Sequence, residues 1–158
     1  MRFFTRAWCD GDVAEEEADR VPQLYAAHLR SIRSRLPFRV RRFIDDINLH
    51  DGRIREVQLS DADHTLLIRI RAGDQQVGYY DADLVYHDFE MESATSAVLD
   101  KARANDSYEL LYDEFDTAEA NRLVHRFILR PEGEALIAFR DLSWQRTPRK
   151  DRSSPSAV

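Results

Sequence analysis

The spacing of apolar positions divides the chain into a helical first third and a strand-rich remainder. Val21, Leu24, Tyr25, His28, Leu29, Ile32 and Leu36 recur at intervals of three and four, forming one stripe of an amphipathic helix. Val40, Phe43, Ile44 and Ile47 form a shorter stripe. Asp10 and Asp12 precede Glu15, Glu16 and Glu17, an acidic first turn that complements a helix N-terminus. Pro22 is expected to break or kink the early helix and Pro37 to end the second, because proline lacks the N–H that a helix interior needs. Two or three helices are therefore expected before Asn48.

From His50 the period changes to two. Segments 53–59, 65–71, 76–80 and 84–89 read as strands. Ser60-Asp61-Ala62-Asp63 and Ala72-Gly73-Asp74 read as turns, and 84–89 continues as a strand beyond Asp81-Ala82-Asp83. Residues 93–104 are the one later helix, with Ala94, Ala97, Val98 and Ala102 inward and Asn105 as its stop. Segments 108–115, 122–130 and 135–144 are three further strands, the last two joined by the hairpin loop Pro131-Glu132-Gly133-Glu134. Hairpin-length links force antiparallel neighbours. The pattern predicts an α+β fold: an N-terminal layer of two or three helices packed on a five- to six-stranded antiparallel sheet, with one later helix. The single domain is expected to span 1–144, and the Ser- and Pro-containing segment 145–158 to be a disordered tail.

Composition narrows the setting. With 158 residues, 43% hydrophobic and 33% charged, the chain suits one soluble globular domain of bacterial, cytoplasmic type. No apolar run approaches the ~18–20 residues of a membrane span, and the start does not read as a secretory signal. Cys9, the sole cysteine, leaves no internal disulfide or CxxC zinc site, and reads as a small hydrophobe rather than a nucleophile.

The formal net charge of −6 disfavours nucleic acid as a partner. Its distribution says more. Residues 72–121 hold thirteen acids against Lys101 and Arg103, whereas residues 122–158 hold eight bases and four acids. Arg30, Arg33, Arg35, Arg39, Arg41 and Arg42 fall in one stretch without an acid. Two readings compete: a lattice in which acidic and basic segments pair, and an acidic face that steers a basic partner.

Candidate chemistry is sparse. His50-Asp51-Gly52 at the helix-to-sheet junction could serve as an acid/base pair or supply metal ligands; read as a turn, Asp51 caps amides, Gly52 takes positive φ and His50 tethers the junction. In the strand pair His87-Asp88, neighbouring side chains point to opposite faces and do not readily share a metal. His28 reads as a hydrogen-bonded core residue, His64 as part of a solvated turn, and His125 as partly buried beside Leu123, Phe127 and Leu129. Tyr112-Asp113-Glu114-Phe115-Asp116 concentrates acids and aromatics near a strand end, the composition of a contact surface for a cationic partner. There is no phosphate-binding glycine loop, nucleophile elbow, kinase signature or HExxH pair.

Met1-Arg2-Phe3-Phe4-Thr5 with Trp8, Asn48-Leu49-His50-Asp51-Gly52, and Leu111-Tyr112-Asp113-Glu114 together resemble a family of uncharacterised bacterial proteins. Its members share such an aromatic-Thr start, a Leu-His-Asp turn opening the sheet, and a Leu-Tyr-acidic segment before a final hairpin. The Leu-His-Asp turn before a meander also resembles small immunity-type proteins, which neutralise a toxin by binding it. The resemblance spans residues 1–144 and carries no catalytic residue with it. The expected function is thus a non-enzymatic protein-binding module, immunity- or antitoxin-like. It would use Tyr112, Asp113, Glu114, Phe115 and Asp116 against a basic effector protein, with no cofactor, metal or membrane. The alternatives are a small metal-dependent hydrolase using His50, Asp51 and His87, and an RNA-associated protein using the arginines of 30–42.

Overall fold

The computed structural model describes residues 1–153. Its element order is α1 (Arg6–Cys9), α2 (Glu15–Ile32), a 3-10 turn (Arg33–Arg35), α3 (Phe38–Asp46), β1 (Arg53–Ser60), β2 (Thr65–Asp74), β3 (Gly78–His87), α4 (Ser93–Ala104), β4 (Glu109–Thr117), β5 (Leu123–Arg130), β6 (Glu134–Phe139) and β7 (Asp141–Arg149). The α+β class and antiparallel pairing are as expected, but the strands form two sheets rather than one. One sheet has the order β1-β2-β3-β7 and the other β4-β5-β6. They meet at a bridge between Gly52 and Leu110 and share one core.

The switch between sheets lies at Arg140. Ala135, Ile137 and Phe139 are buried, and then the parity shifts to Leu142. The expected strand 135–144 is therefore two strands, β6 in one sheet and β7 in the other, and Arg140 N–H donates to His87 O as the chain crosses. A regular strand keeps one parity, so its change marks a bulge or a crossing, and the pairing of β6 with β5 and of β7 with β3 makes this one a crossing.

Other boundaries moved for equally local reasons. Segments 76–80 and 84–89 belong to one strand, β3, at whose middle Asp81 and Asp83 stand opposite Arg71 and Arg69 and ion-pair with them. Pro22 sits inside an unbroken α2. A proline there orphans the carbonyl four residues earlier, and Ala18 O is satisfied instead by the indole N–H of Trp8 at 3.1 Å. In α4 the inward residues are Thr95, Leu99 and Ala102; Ala94 and Ala97 face solvent, a rotation set by packing on β1 and β6. The segment expected to begin a disordered tail at Gln145 continues as β7 to Arg149, in register with Tyr79–Asp83. Pro148 is tolerated because β7 is an edge strand. The rest of that expectation, 154–158, lies outside the described residues.

The β4–β5 link is a tight turn in which Arg122 N–H donates to Glu119 O and both central residues, Ala120 and Asn121, have positive φ. That geometry suits a two-residue hairpin, but alanine is poorly suited to its first position. Ala120→Gly is expected to raise stability by about 0.5–1 kcal/mol, seen as a higher urea midpoint at unchanged slope.

Candidate functional site

The segment expected to form an acidic docking surface is folded inward. Glu114 and Phe115 are each 1% exposed, and Asp116 is buried. Glu114 accepts three backbone N–H groups, Phe3 and Phe4 on Oε1 at 2.7 Å and Arg2 on Oε2 at 2.9 Å. Asp116 takes Arg2 at 3.2 Å and Arg126 at 3.4 Å, and lies 3.1 Å from His28 Nε2, out of line for a hydrogen bond. Burial opposes ionisation of Asp116, but the Thr117 amide and the surrounding cations outweigh it and hold its carboxyl below the usual range. Tyr112 stacks on Phe4 with ring centroids 4.8 Å apart, and Asp113 accepts from His125. Glu114, Phe115 and Asp116 are thus turned into the molecule, while Tyr112 and Asp113 are half-buried.

The three short motifs of the resemblance converge here. The N-terminal Arg2-Phe3-Phe4 seals one side of β4 through Glu114 and Tyr112. His50 Nδ1 lies 2.5 Å from Leu111 O, and its ring is 5.0 Å from Tyr112. Asp51 N–H donates to Leu110 O, and Asp51, not Gly52, carries the positive φ of 57°. Gly52 is needed for another reason: a Cβ there would lie 2.7 Å from both Ile70 Cγ2 and Leu49 O. The junction is a tether between the sheets.

Of the hydrolase residues, His50 and Asp51 lie together, with His50 Nε2 3.6 Å from Asp51 Oδ2, and His87 is not brought to them. His87 pairs with Thr65 at one end of β2, and Gly52 lies beside Arg53, which pairs with Arg71 near the other end. Six residues of strand, about 20 Å, separate the two ends. His87 Nε2 is 2.8 Å from Ser143 Oγ. Among the described residues no group of three or more His, Cys, Asp or Glu is placed to hold a metal. Burial keeps the Cys9 thiol protonated by raising its pKa.

His125 is wholly buried rather than partly so, between Tyr86 O–H on Nδ1 and Asp113 on Nε2, both at 2.9 Å, with the Phe115 ring 3.8 Å away. Burial lowers its pKa more than Asp113 raises it, so the ring stays neutral and acts as a core bracket between the two sheets.

Most of the acidic middle is consumed in the same way. Asp81 is held by Arg71 and Arg149, Asp83 by Arg69, Asp88 by Arg122 and Arg140, and Glu109 by Arg53, Arg130 and Arg152. The lattice reading of the charge map therefore describes this region. Exposed acids gather elsewhere: Asp10, Asp12, Glu15, Glu16, Glu17 and Asp19 lie around the start of α2.

What remains outward is a face the sequence reading passed over. Phe38, at the start of α3, is 68% exposed, and it borders a depression of about 560 Å³ with Arg39, Arg42, Ser143 and Trp144. Trp144 Nε1 donates to Arg39 O at 2.9 Å, and its ring meets Phe43 at 5.9 Å, so the indole is braced while part of it stays open. Phe38 was legible as an oddity, since it falls off the stripe of Val40, Phe43, Ile44 and Ile47. No strand periodicity could place Trp144 beside it. No protein-family model, curated protein or solved structure matches the chain, so the resemblance rests on its own short motifs. No helix among the described residues is long and apolar enough to cross a membrane.

Proposed function

We propose that the protein is a non-enzymatic binding module that acts by docking on another protein, as its resemblance to immunity-type proteins implies. The observation that carries this reading is Phe38, a large apolar side chain left 68% exposed beside the braced ring of Trp144. An aromatic pair flanked by arginines is the composition of an interface centre, where a rigid ring covers apolar area at little entropic cost. The docking face is α3 with β7, in place of the buried strand β4.

Affinity capture with the tagged full chain, from the cells that encode it and at low and high salt, tests the reading. Wild type is expected to retain one protein in stoichiometric amount, and Phe38→Ser at least tenfold less. Phe38 packs little of its surface within the molecule, so this variant keeps the fold. Recovery of no stoichiometric partner at either salt, or equal recovery by Phe38→Ser, would overturn the proposal.

A further inference from the structure

The basic residues of this protein fall into two groups. Arg53, Arg69, Arg71, Arg126 and Arg149 are largely buried against carboxylates and are committed to the fold. Those around Phe38 and Trp144 are not. Arg39 is 65% exposed on its side chain, with its nearest carboxylate, Asp141, at 3.9 Å. Arg42 is 56% exposed and bonded within its own helix to Asp46. Arg146 lies two residues along β7 from Trp144, on the same side of the strand, with its guanidinium 4.0 Å above the Tyr80 ring. Arg35 is exposed three residues before Phe38. Arg39 and Arg42 thus line the aromatic depression, with Arg146 farther along β7 and Arg35 before Phe38, against Asp46 and Asp141, a local positive surplus on a chain of net charge −6.

Resting on the binding-module reading, we propose that the partner is a protein presenting a short acidic segment with one apolar side chain. The apolar residue lies between Phe38 and Trp144, and the carboxylates engage Arg39, Arg42 and Arg146. This reverses the sign of partner that the acidic middle of the sequence suggests. Arginine forks pair carboxylates bidentately, and planar guanidiniums already held on a ring or helix lose little freedom in doing so. The positive surplus is also local. α2 runs from exposed acids at its start to Arg30 at its end, a length of about 27 Å, so a long polyanion tracking the surface soon meets carboxylates. A segment of a few residues fits within the basic end; a nucleic acid strand does not.

The test is fluorescence anisotropy of labelled probes with the full chain at low ionic strength. One probe is a twelve-residue Asp/Glu peptide with a central Leu; the others are the same peptide without Leu, its Lys/Arg counterpart, and oligouridylate. The acidic Leu peptide is expected to bind, at least tenfold more weakly without the Leu, and severalfold more weakly as salt rises from about 50 to 300 mM. The double variant R39E/R42E, altered only at exposed positions, is expected to bind it at least tenfold more weakly with an unchanged circular dichroism spectrum. Failure of wild type to bind that peptide, unchanged binding by R39E/R42E, or tighter binding of the basic peptide or oligouridylate would overturn the proposal. So would a concentration-dependent dimer in sedimentation that R39E/R42E abolishes, since it would assign the face to a second copy of this chain. A captured partner lost by Phe38→Ser but kept by R39E/R42E would overturn the acidic segment and leave the binding module standing, whereas no captured partner overturns the module itself.

Discussion

Asp81→Asn is expected to lower the unfolding free energy by about 3–5 kcal/mol, read as a fall of about 2 M in urea midpoint for a slope of about 2 kcal/mol/M. Asp81 is 1% exposed and Arg71 not at all, with Arg71 Nε 2.5 Å from one carboxylate oxygen and Arg149 Nε 2.7 Å from the other. An amide in that place removes the buried carboxylate that Arg71 and Arg149 share, and removing one partner of a buried ion pair costs far more than the pair contributes. The double variant Arg71→Met with Asp81→Leu should recover part of the loss, because it removes the two fully buried charges together and leaves only Arg149, 15% exposed, without its carboxylate. A double variant no more stable than Asp81→Asn would refute the account. The pair also sets a pH dependence. Burial alone would raise the Asp81 pKa, but the hydrogen bonds from Arg71 and Arg149 outweigh it and depress it below the ordinary carboxylate value. A depressed folded-state pKa gives stability that is present above the unfolded value, about 3.9, and lost as pH falls through the folded one. The gap between wild type and Asp81→Asn should therefore be widest near neutrality and close below about pH 4.

Glu114→Ala is expected to cost about 3–4 kcal/mol and to free the N-terminal segment. Three backbone N–H groups converge on this one carboxylate, and hydrogen bonds to a charged acceptor contribute about 1.5–3 kcal/mol each. The total is bounded because residues 2–4 can lift away and rehydrate, at the expense of the buried Phe4 side chain, about 1.5–3 kcal/mol. Glu114→Gln should lose about half as much: its amide oxygen can keep Phe3 and Phe4, while its NH2 confronts the N–H of Arg2. The readouts are the urea midpoint together with amide exchange at Arg2, Phe3 and Phe4 and tryptic cleavage after Arg2 and Arg6, both faster in the order wild type, Gln, Ala. Unchanged exchange at those amides in Glu114→Ala would show that the carboxylate does not hold the segment.

Both predictions concern acids that read from the sequence as solvent-facing. A one-dimensional pattern marks Glu114 as a polar position on β4, and that is correct for an alternating strand. It carries no sign that the chain's own first residues return to cover that face. Asp81 and Asp83 interrupt the apolar pattern between 76–80 and 84–89, and the opposing Arg71 and Arg69 accommodate them within β3. The sheet switch at Arg140 leaves a trace in the sequence, the change of parity from Phe139 to Leu142, but a bulge within one strand leaves the same trace. For the candidate site the position is similar. Phe38 is visible as an apolar residue off its helical stripe, yet its neighbour Trp144 is more than a hundred positions away.

Periodicity by itself determined that helices precede strands, that the strands pair antiparallel through hairpins, and that 93–104 is a helix. These features depend on the alternation of neighbouring side chains, which short-range spacing records directly. The tertiary structure alone decided how many sheets there are, which acids are neutralised, and where charge and aromatic surface stay free. Those depend on contacts between residues as far apart as Arg2 and Asp116, or Arg39 and Trp144. An uneven charge map along the chain became an ion-pair lattice in space, with exposed acids left at the start of α2 and exposed arginines beside Phe38.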